Sequence, residues 1–374
     1  MKRVFILAAI AAALLLSKDV RAGLWKRAGR VRIDSVSSLP GGLGLLPALP
    51  EDPENPITPA KYELGQKLFE DPRLSGDESL SCASCHAKEM GYAEGVPFSA
   101  GAEGKPMPRH TPTLLNSAYY RYINWDGRFA NVSELVLSVM ANPRNMNMQD
   151  ESVLIARLES VPEYRVQFQE VFGGRPTRQR VALAIEAYVR RLTTPNSPFD
   201  HYAAGDQRAL SEAQKRGLVL FVGKADCAMC HRGPNFSDDQ FHALGIAGDD
   251  AGRFKVTSVE ADRGTFRTPT LRNVEVTAPY MHDGSKPTLR AVIDFYNNGG
   301  GPQRPKSPLL RKLDLTEQEK SDLVAFLESL TGTVEKFESR TADPTPATSA
   351  PPPLPAPRRV RAASTATTSV RPGR

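Results

Sequence analysis

Two five-residue stretches constrain this chain more than any other feature: Cys82-Ala83-Ser84-Cys85-His86 and Cys227-Ala228-Met229-Cys230-His231, both of the form C-x-x-C-H. They hold all 4 cysteines of the 374 residues, so no other thiol is left for a structural role. Three chemistries use such a pair. A disulfide across two residues closes so short a loop that it stabilises little, and bridges of this kind are typically redox-active. Zinc could draw four thiolates from two pairs, but it gives no reason for a His directly after each. Covalent c-type haem does: two thiols add to the vinyl groups, and the next residue reaches the iron as proximal ligand. The motifs therefore predict two haems, attached through Cys82, Cys85, Cys227 and Cys230, with His86 and His231 on the iron.

The motifs stand 145 residues apart in a chain that repeats itself. "GQKLF" (Gly65–Phe69) precedes the first and "GLVLF" (Gly217–Phe221) the second. After them, "TPTLLN" (Thr111–Asn116) answers "TPTLRN" (Thr268–Asn273). Nine residues beyond each Asn comes a related triplet, Trp125-Asp126-Gly127 and His282-Asp283-Gly284. Helical signals dominate both halves. Thr58 before Pro59 reads as an N-cap, and Leu64, Leu68 and Phe69 share one face. Ser211 opens the second half in the same way. Thr316 and Glu319 make a capping box, followed by the stripe Leu323, Phe326, Leu327, Leu330 and a stop at Gly332. "QRVALAIEAYVRRL" closes the first half. The expected fold is mainly α, two cytochrome-c-like haem domains related by internal duplication, each a small helical unit around something its side chains cannot fill.

The ends differ from the body. Lys2 and Arg3 precede an apolar run from Val4 to Leu16, and small residues allow cleavage after Ala22, the pattern of a secretory signal peptide. That run is too short to span a membrane, and no later stretch approaches the roughly 20 apolar residues a span requires. Residues 335–374 hold seven basic and three acidic residues among Pro, Ala, Ser and Thr, a composition that buries no core. The formal net charge of +6 comes from these ends. The body is close to neutral and carries no nucleic-acid footprint. The expected divisions are a signal peptide at 1–22, a linker at 23–54, haem domains at 55–205 and 206–334, and a disordered tail at 335–374. The expected location is the periplasm.

Taken together, "ELGQKLFEDPRLS", both C-x-x-C-H sites, "RHTPTLLN", "NWDGR", "TPNSPFD" and "FRTPTLRNVEVTAPYMHDGS" resemble the bacterial dihaem cytochrome c peroxidase and MauG family over about residues 55–332. The resemblance implies that the first haem reacts with peroxide, that the second relays electrons, and that a Trp lies between them. Trp125 matches that Trp. The family's second haem takes its sixth ligand fourteen residues after the His of "HDG", here Tyr296, where ordinary peroxidases have Met and MauG-like proteins Tyr. A phenolate is a hard anion that favours ferric and higher states, whereas Met raises the potential. A core-packing Trp and a packing Tyr are the plain alternatives.

Two positions depart from the family pattern. Asn145 in "ANPRNMNM" stands where the family has a catalytic Glu, and Leu135 where it has Gln. Glu accepts and returns a proton during O–O cleavage, while Asn only hydrogen-bonds. The family also binds calcium between domains. Thr277 and Pro279 match its carbonyl donors, but His110 replaces an Asn, and imidazole suits a hard cation poorly. Spacing leaves His201, His242 and the sixth ligand of the first haem unassigned, and His282 is expected at a haem edge or propionate. The expected function is peroxide reduction at the His86 haem. Electrons would come from a small cytochrome c, a cupredoxin or a protein substrate. A non-catalytic dihaem electron carrier is the rival, and a homodimer is among the assemblies the resemblance admits.

Overall fold

The computed structural model describes residues 39–335 and 337, which lie in one compact unit. All of the expected signal peptide, and the tail from Glu338 onward, lie outside the described residues. The chain is mainly helical. In the first half run α1 (Pro59–Glu70), α2 (Val132–Ala141), α3 (Glu151–Glu159), α4 (Pro162–Phe172) and α5 (Arg178–Arg190). They are followed by α6 (Pro198–Ala203), α7 (Glu212–Val222), α8 (Leu289–Asn297) and α9 (Glu317–Glu328). Among the described residues a single antiparallel strand pair, β1 (Phe241–Ala243) and β2 (Thr265–Arg267), places His242 opposite Phe266. No helix among the described residues is long and apolar enough to cross a membrane.

The helix starts follow the local chemistry. The Thr58 side chain accepts from Lys61 N–H, with Pro59 at the first helical position. Ser211 with Gln214, and Thr316 with Glu319, form complete capping boxes on α7 and α9. The α9 stripe of Leu323, Phe326, Leu327 and Leu330 is buried. The helix itself ends at Glu328, ahead of the expected stop: Gly332 lies beyond it, against Asn196.

In each half the opening helix crosses the closing one, α1 on α5 and α7 on α9. The repeated glycines make both crossings. A β-carbon at Gly65 would fall on the Ala184 carbonyl oxygen, and one at Gly217 on that of Asp322. Gly in a helix costs about 1 kcal/mol relative to Ala, whereas overpacking a core costs about 1–3 kcal/mol. Close approach wins, and the sequence keeps Gly at both crossings.

Two hydrophobic cores result. One is built from Leu64 to Leu192 around α1, α2 and α5. The other gathers Phe199, Phe221, Phe236, Leu323 and Phe326, and takes in Leu39 and Leu43 from the linker. The chain passes from one core to the other between Leu192 and Phe199. It returns at the end: Val334 packs on the first core, Glu335 N–H bonds to the Thr193 carbonyl, and the Phe337 ring meets that of Tyr62 at a tilt, 4.9 Å between centroids.

Candidate functional site

Both C-x-x-C-H stretches coil into one tight turn, in which the His N–H bonds back to the first Cys carbonyl, His86 to Cys82 at 3.0 Å and His231 to Cys227 at 2.9 Å. The imidazoles are then fixed identically. His86 Nδ1 lies 2.9 Å from the Tyr92 carbonyl and His231 Nδ1 lies 3.0 Å from that of Phe236. A carbonyl only accepts, so Nδ1 carries the proton and Nε2 keeps its lone pair. Burial pushes His86 down to about 4 and lowers His231 as well, so both rings are neutral. This is how a protein presents imidazole to a metal.

All four cysteines are free thiols. Burial pushes Cys82 and Cys227 up to about 12, with the neighbouring Cys85 adding to it in the first half and Asp226 and Cys230 in the second. Redox-active C-x-x-C pairs show the opposite shift.

The second half encloses a cavity of about 240 Å³, lined on one side by Cys227, Cys230 and His231 and on another by Tyr296. Its walls are mainly apolar. Leu289, Val292, Ile293 and Tyr296 on α8 all face it, at the i, i+3, i+4, i+7 spacing of one helix face. The Tyr296 hydroxyl makes no hydrogen bond to any described residue, and burial, with Cys230 and Cys227 adding to it, raises its pKa. The unpartnered phenol and the His231 imidazole line one cavity, so His231 and Tyr296 are the side chains that would hold a metal there. The residues therefore fit a covalent haem.

Trp125 comes from the first half yet lines this second-half cavity, and it is 8% exposed. Its Nε1–H donates to the His110 carbonyl at 2.8 Å, and its own carbonyl accepts from Arg267 N–H of β2 at 2.8 Å. His282 meets the indole edge-on at 6.5 Å and stacks on Phe266 at 3.6 Å. His110, Thr277, Pro279 and His282 line the same cavity, so one wall gathers most of the expected second-site residues.

Asn145 lies elsewhere, in the turn after α2. Its carbonyl accepts from Ala102 N–H at 2.8 Å, while its half-buried side-chain amide has no hydrogen-bond partner among the described residues. Leu135 on α2 packs against the first core.

The calcium expectation meets a poor donor set. The Thr277 and Pro279 carbonyls accept no hydrogen bond from the described residues. At the third position His110 Nδ1 is committed to the Val96 carbonyl at 3.0 Å, and its ring brings no oxygen. Calcium takes six to eight oxygens, and these residues do not fit it.

Three features escaped the sequence reading. Arg109 bridges the halves, with Nη1 2.7 Å from Asp126 and Nε 2.5 Å from Asp250. Burial alone would raise the Asp250 carboxyl, but the Arg109 guanidinium holds it well below the usual range. The signal lay inside quoted motifs, since Arg109 precedes His110 and Asp126 follows Trp125. His242 Nε2 lies 2.9 Å from Asp238, which together with Cys230 raises it to about 10. Arg272 forms a buried bidentate pair with Asp200.

Comparison with known proteins agrees with this geometry. The family described as Di-haem cytochrome c peroxidase matches residues 59–208, and Cytochrome c matches residues 214–331. The chain is 41% identical over 288 residues to the methylamine utilization protein MauG of Methylorubrum extorquens, covering 76% of this chain and 81% of that one. It is 40% identical over 323 residues to the cytochrome-c peroxidase IdrP1 of Pseudomonas sp. strain SCT, covering 77% and 85%. Among solved structures, a MauG-like protein associated with microbial copper homeostasis superposes with a TM-score of 0.72 at 34% identity, covering 77% of this chain and 95% of that one.

Proposed function

The chain belongs to the family of dihaem cytochrome c peroxidases and MauG proteins, and from that premise we propose that it reduces hydrogen peroxide in its first half with electrons that enter through its second. Each peroxide takes up two electrons and two protons and leaves as two waters. Two covalent c-type haems, the cofactors of a dihaem family, supply the iron that activates peroxide and holds oxidising equivalents. Cys82, Cys85 and His86 would hold the first. Cys227, Cys230, His231 and Tyr296 would hold the second.

The observation that carries this reading is the seat of Trp125. A first-half indole in the wall of the second-half cavity, hydrogen-bonded to both halves, gives charge a path between the two sites. Arg109, clamped between Asp126 and Asp250, keeps that wall in register. Electrons come from a small cytochrome c, a cupredoxin or oxidisable residues of a protein substrate. The segment 1–22 supports a periplasmic protein.

The rival reading, an electron carrier inert to peroxide, is favoured by one observation: Asn145 offers no proton acceptor where the family has a carboxylate. Stopped-flow spectroscopy of the diferric protein with hydrogen peroxide separates the two. A rapid spectral change from one haem supports the peroxidase; two six-coordinate haems that stay unchanged support the carrier and overturn the proposal.

Tyr296 has its own test. Tyr296→Phe is expected to alter the low-spin ferric spectrum and raise the potential of the second haem, because an anionic ligand that stabilises the ferric state is lost. Unchanged spectrum and potential would make Tyr296 a packing residue.

A further inference from the structure

A chain of aromatic rings leads outward from His86 through the first half. Phe69 lies 6.5 Å from the imidazole, centroid to centroid, and 6.3 and 5.2 Å from the rings of Tyr92 and Tyr188. Tyr188 in turn lies 5.3 Å from Tyr62, on the first turn of α1, and Tyr62 lies 4.9 Å from Phe337. Each step falls within the range of about 4.5–7 Å at which aromatic rings interact. None of Phe69, Tyr92, Tyr188 and Tyr62 lines the second-half cavity, so this chain is separate from the wall that seats Trp125.

Packing accounts for the rings but not for the hydroxyls. Phe69, Tyr92 and Tyr188 are buried in the first core, and Tyr62 is half-buried against it. The Tyr92 and Tyr188 hydroxyls bond to each other at 3.2 Å, and neither has another partner among the described residues. Such a pair gains little over two phenyl rings, since replacing both partners by apolar groups of the same shape is nearly neutral or stabilising. Burial raises the pKa of Tyr188 and of Tyr62, so both are neutral phenols. What the hydroxyl changes is redox chemistry: a phenol gives up an electron and a proton far more readily than a phenyl ring.

We infer that Tyr188 and Tyr62 form an outlet for oxidising equivalents, carrying them from the His86 site to the protein surface when no electron-donor protein is bound. The inference rests on the reading that peroxide reacts in the first half. For each equivalent, Tyr62 loses one electron to the His86 site by way of Tyr188 and Phe69, and its hydroxyl proton goes to water. A one-electron reductant of the ascorbate or phenol class then restores Tyr62. Two such events reduce one peroxide to two waters, and the two protons released match the two that peroxide takes up. The radical rests on Tyr62 because the buried hydroxyls of Tyr92 and Tyr188 bond only to each other and reach no base.

The test mixes the holoprotein with hydrogen peroxide, without donor or reductant, and freeze-quenches it for EPR while stopped flow follows the haem spectrum. A tyrosyl radical signal is expected, narrowed when the protein carries ring-deuterated tyrosine. Tyr62→Phe should lose that signal and Tyr188→Phe should weaken it, and in both the peroxide-induced haem spectrum should persist longer. Tyr92→Phe combined with Tyr188→Phe should weaken the signal without lowering the thermal midpoint, because both paired hydroxyls leave together. A rapid haem response with no tyrosyl signal, or a signal and decay unchanged in Tyr62→Phe and Tyr188→Phe, keeps the peroxidase and overturns the outlet. A midpoint that falls in the double variant makes the pair a structural hydrogen bond and overturns it too. A haem spectrum inert to peroxide removes the peroxidase reading itself, and the outlet with it.

Discussion

Asn145→Glu is expected to speed the first peroxide-dependent spectral change by about 10²–10⁴-fold, the usual contribution of a positioned general acid–base. A carboxylate at this position would take the proton from one peroxide oxygen and return it to the other, which then leaves as water. Asn145 donates and accepts hydrogen bonds but does neither proton transfer. The site tolerates the change, since the hydrogen bonds of Asn145 are backbone ones, its carbonyl accepting from Ala102 N–H and its N–H donating to the Asn142 carbonyl, and its side-chain amide makes none among the described residues. The comparison is made at matched haem loading and coordination, because a new carboxylate can itself bind iron. If the wild type reacts rapidly and the substitution slows it, another residue moves the proton and the correspondence of Asn145 with the family's Glu is mechanistically wrong.

The largest stability effect is expected at Asp200. Arg272 is 0% exposed and its partner Asp200 3%, and the two meet through paired contacts of 2.8 and 2.9 Å. The guanidinium also donates to the carbonyls of Pro234, in the loop behind His231, and of Gly44, in the linker. Asp200→Ala leaves that cation buried without its counter-charge, which costs about 3–5 kcal/mol. Thermal unfolding should show a loss on the order of 10 °C. The second-half haem spectrum should change more than the first, since Pro234 is anchored beside His231. A midpoint within about a degree of wild type would show that the pair contributes nothing net.

Much of the molecule was legible before folding was considered, because it is written in short-range chemistry. The C-x-x-C-H turns need only five residues, and their hydrogen bonds close within the next six. Thr58, Ser211 and Thr316 cap helices through atoms three residues away. The stripes Leu64–Leu68–Phe69 and Leu323–Phe326–Leu327 are buried as their period requires. Even Gly65 and Gly217 were visible as repeat landmarks, although the reason for them was not: the carbonyls they admit, of Ala184 and Asp322, belong to helices more than a hundred residues downstream.

What the tertiary structure decided is which distant groups share one wall. Nothing in the spacing of "NWDGR" says that Trp125 lines the cavity of the other half, because its seat depends on β2 reaching it through Arg267 N–H. Arg109 and Asp250 are 141 residues apart, and Arg272 and Asp200 are 72 apart. Such ion pairs have no sequence period, since they form only where two separately packed cores are pressed together or closed off from water. Local hydrogen bonds and helical period are properties of neighbouring residues and survive in a one-dimensional reading. The path between two sites is a property of the folded surface, and it exists only once the halves meet.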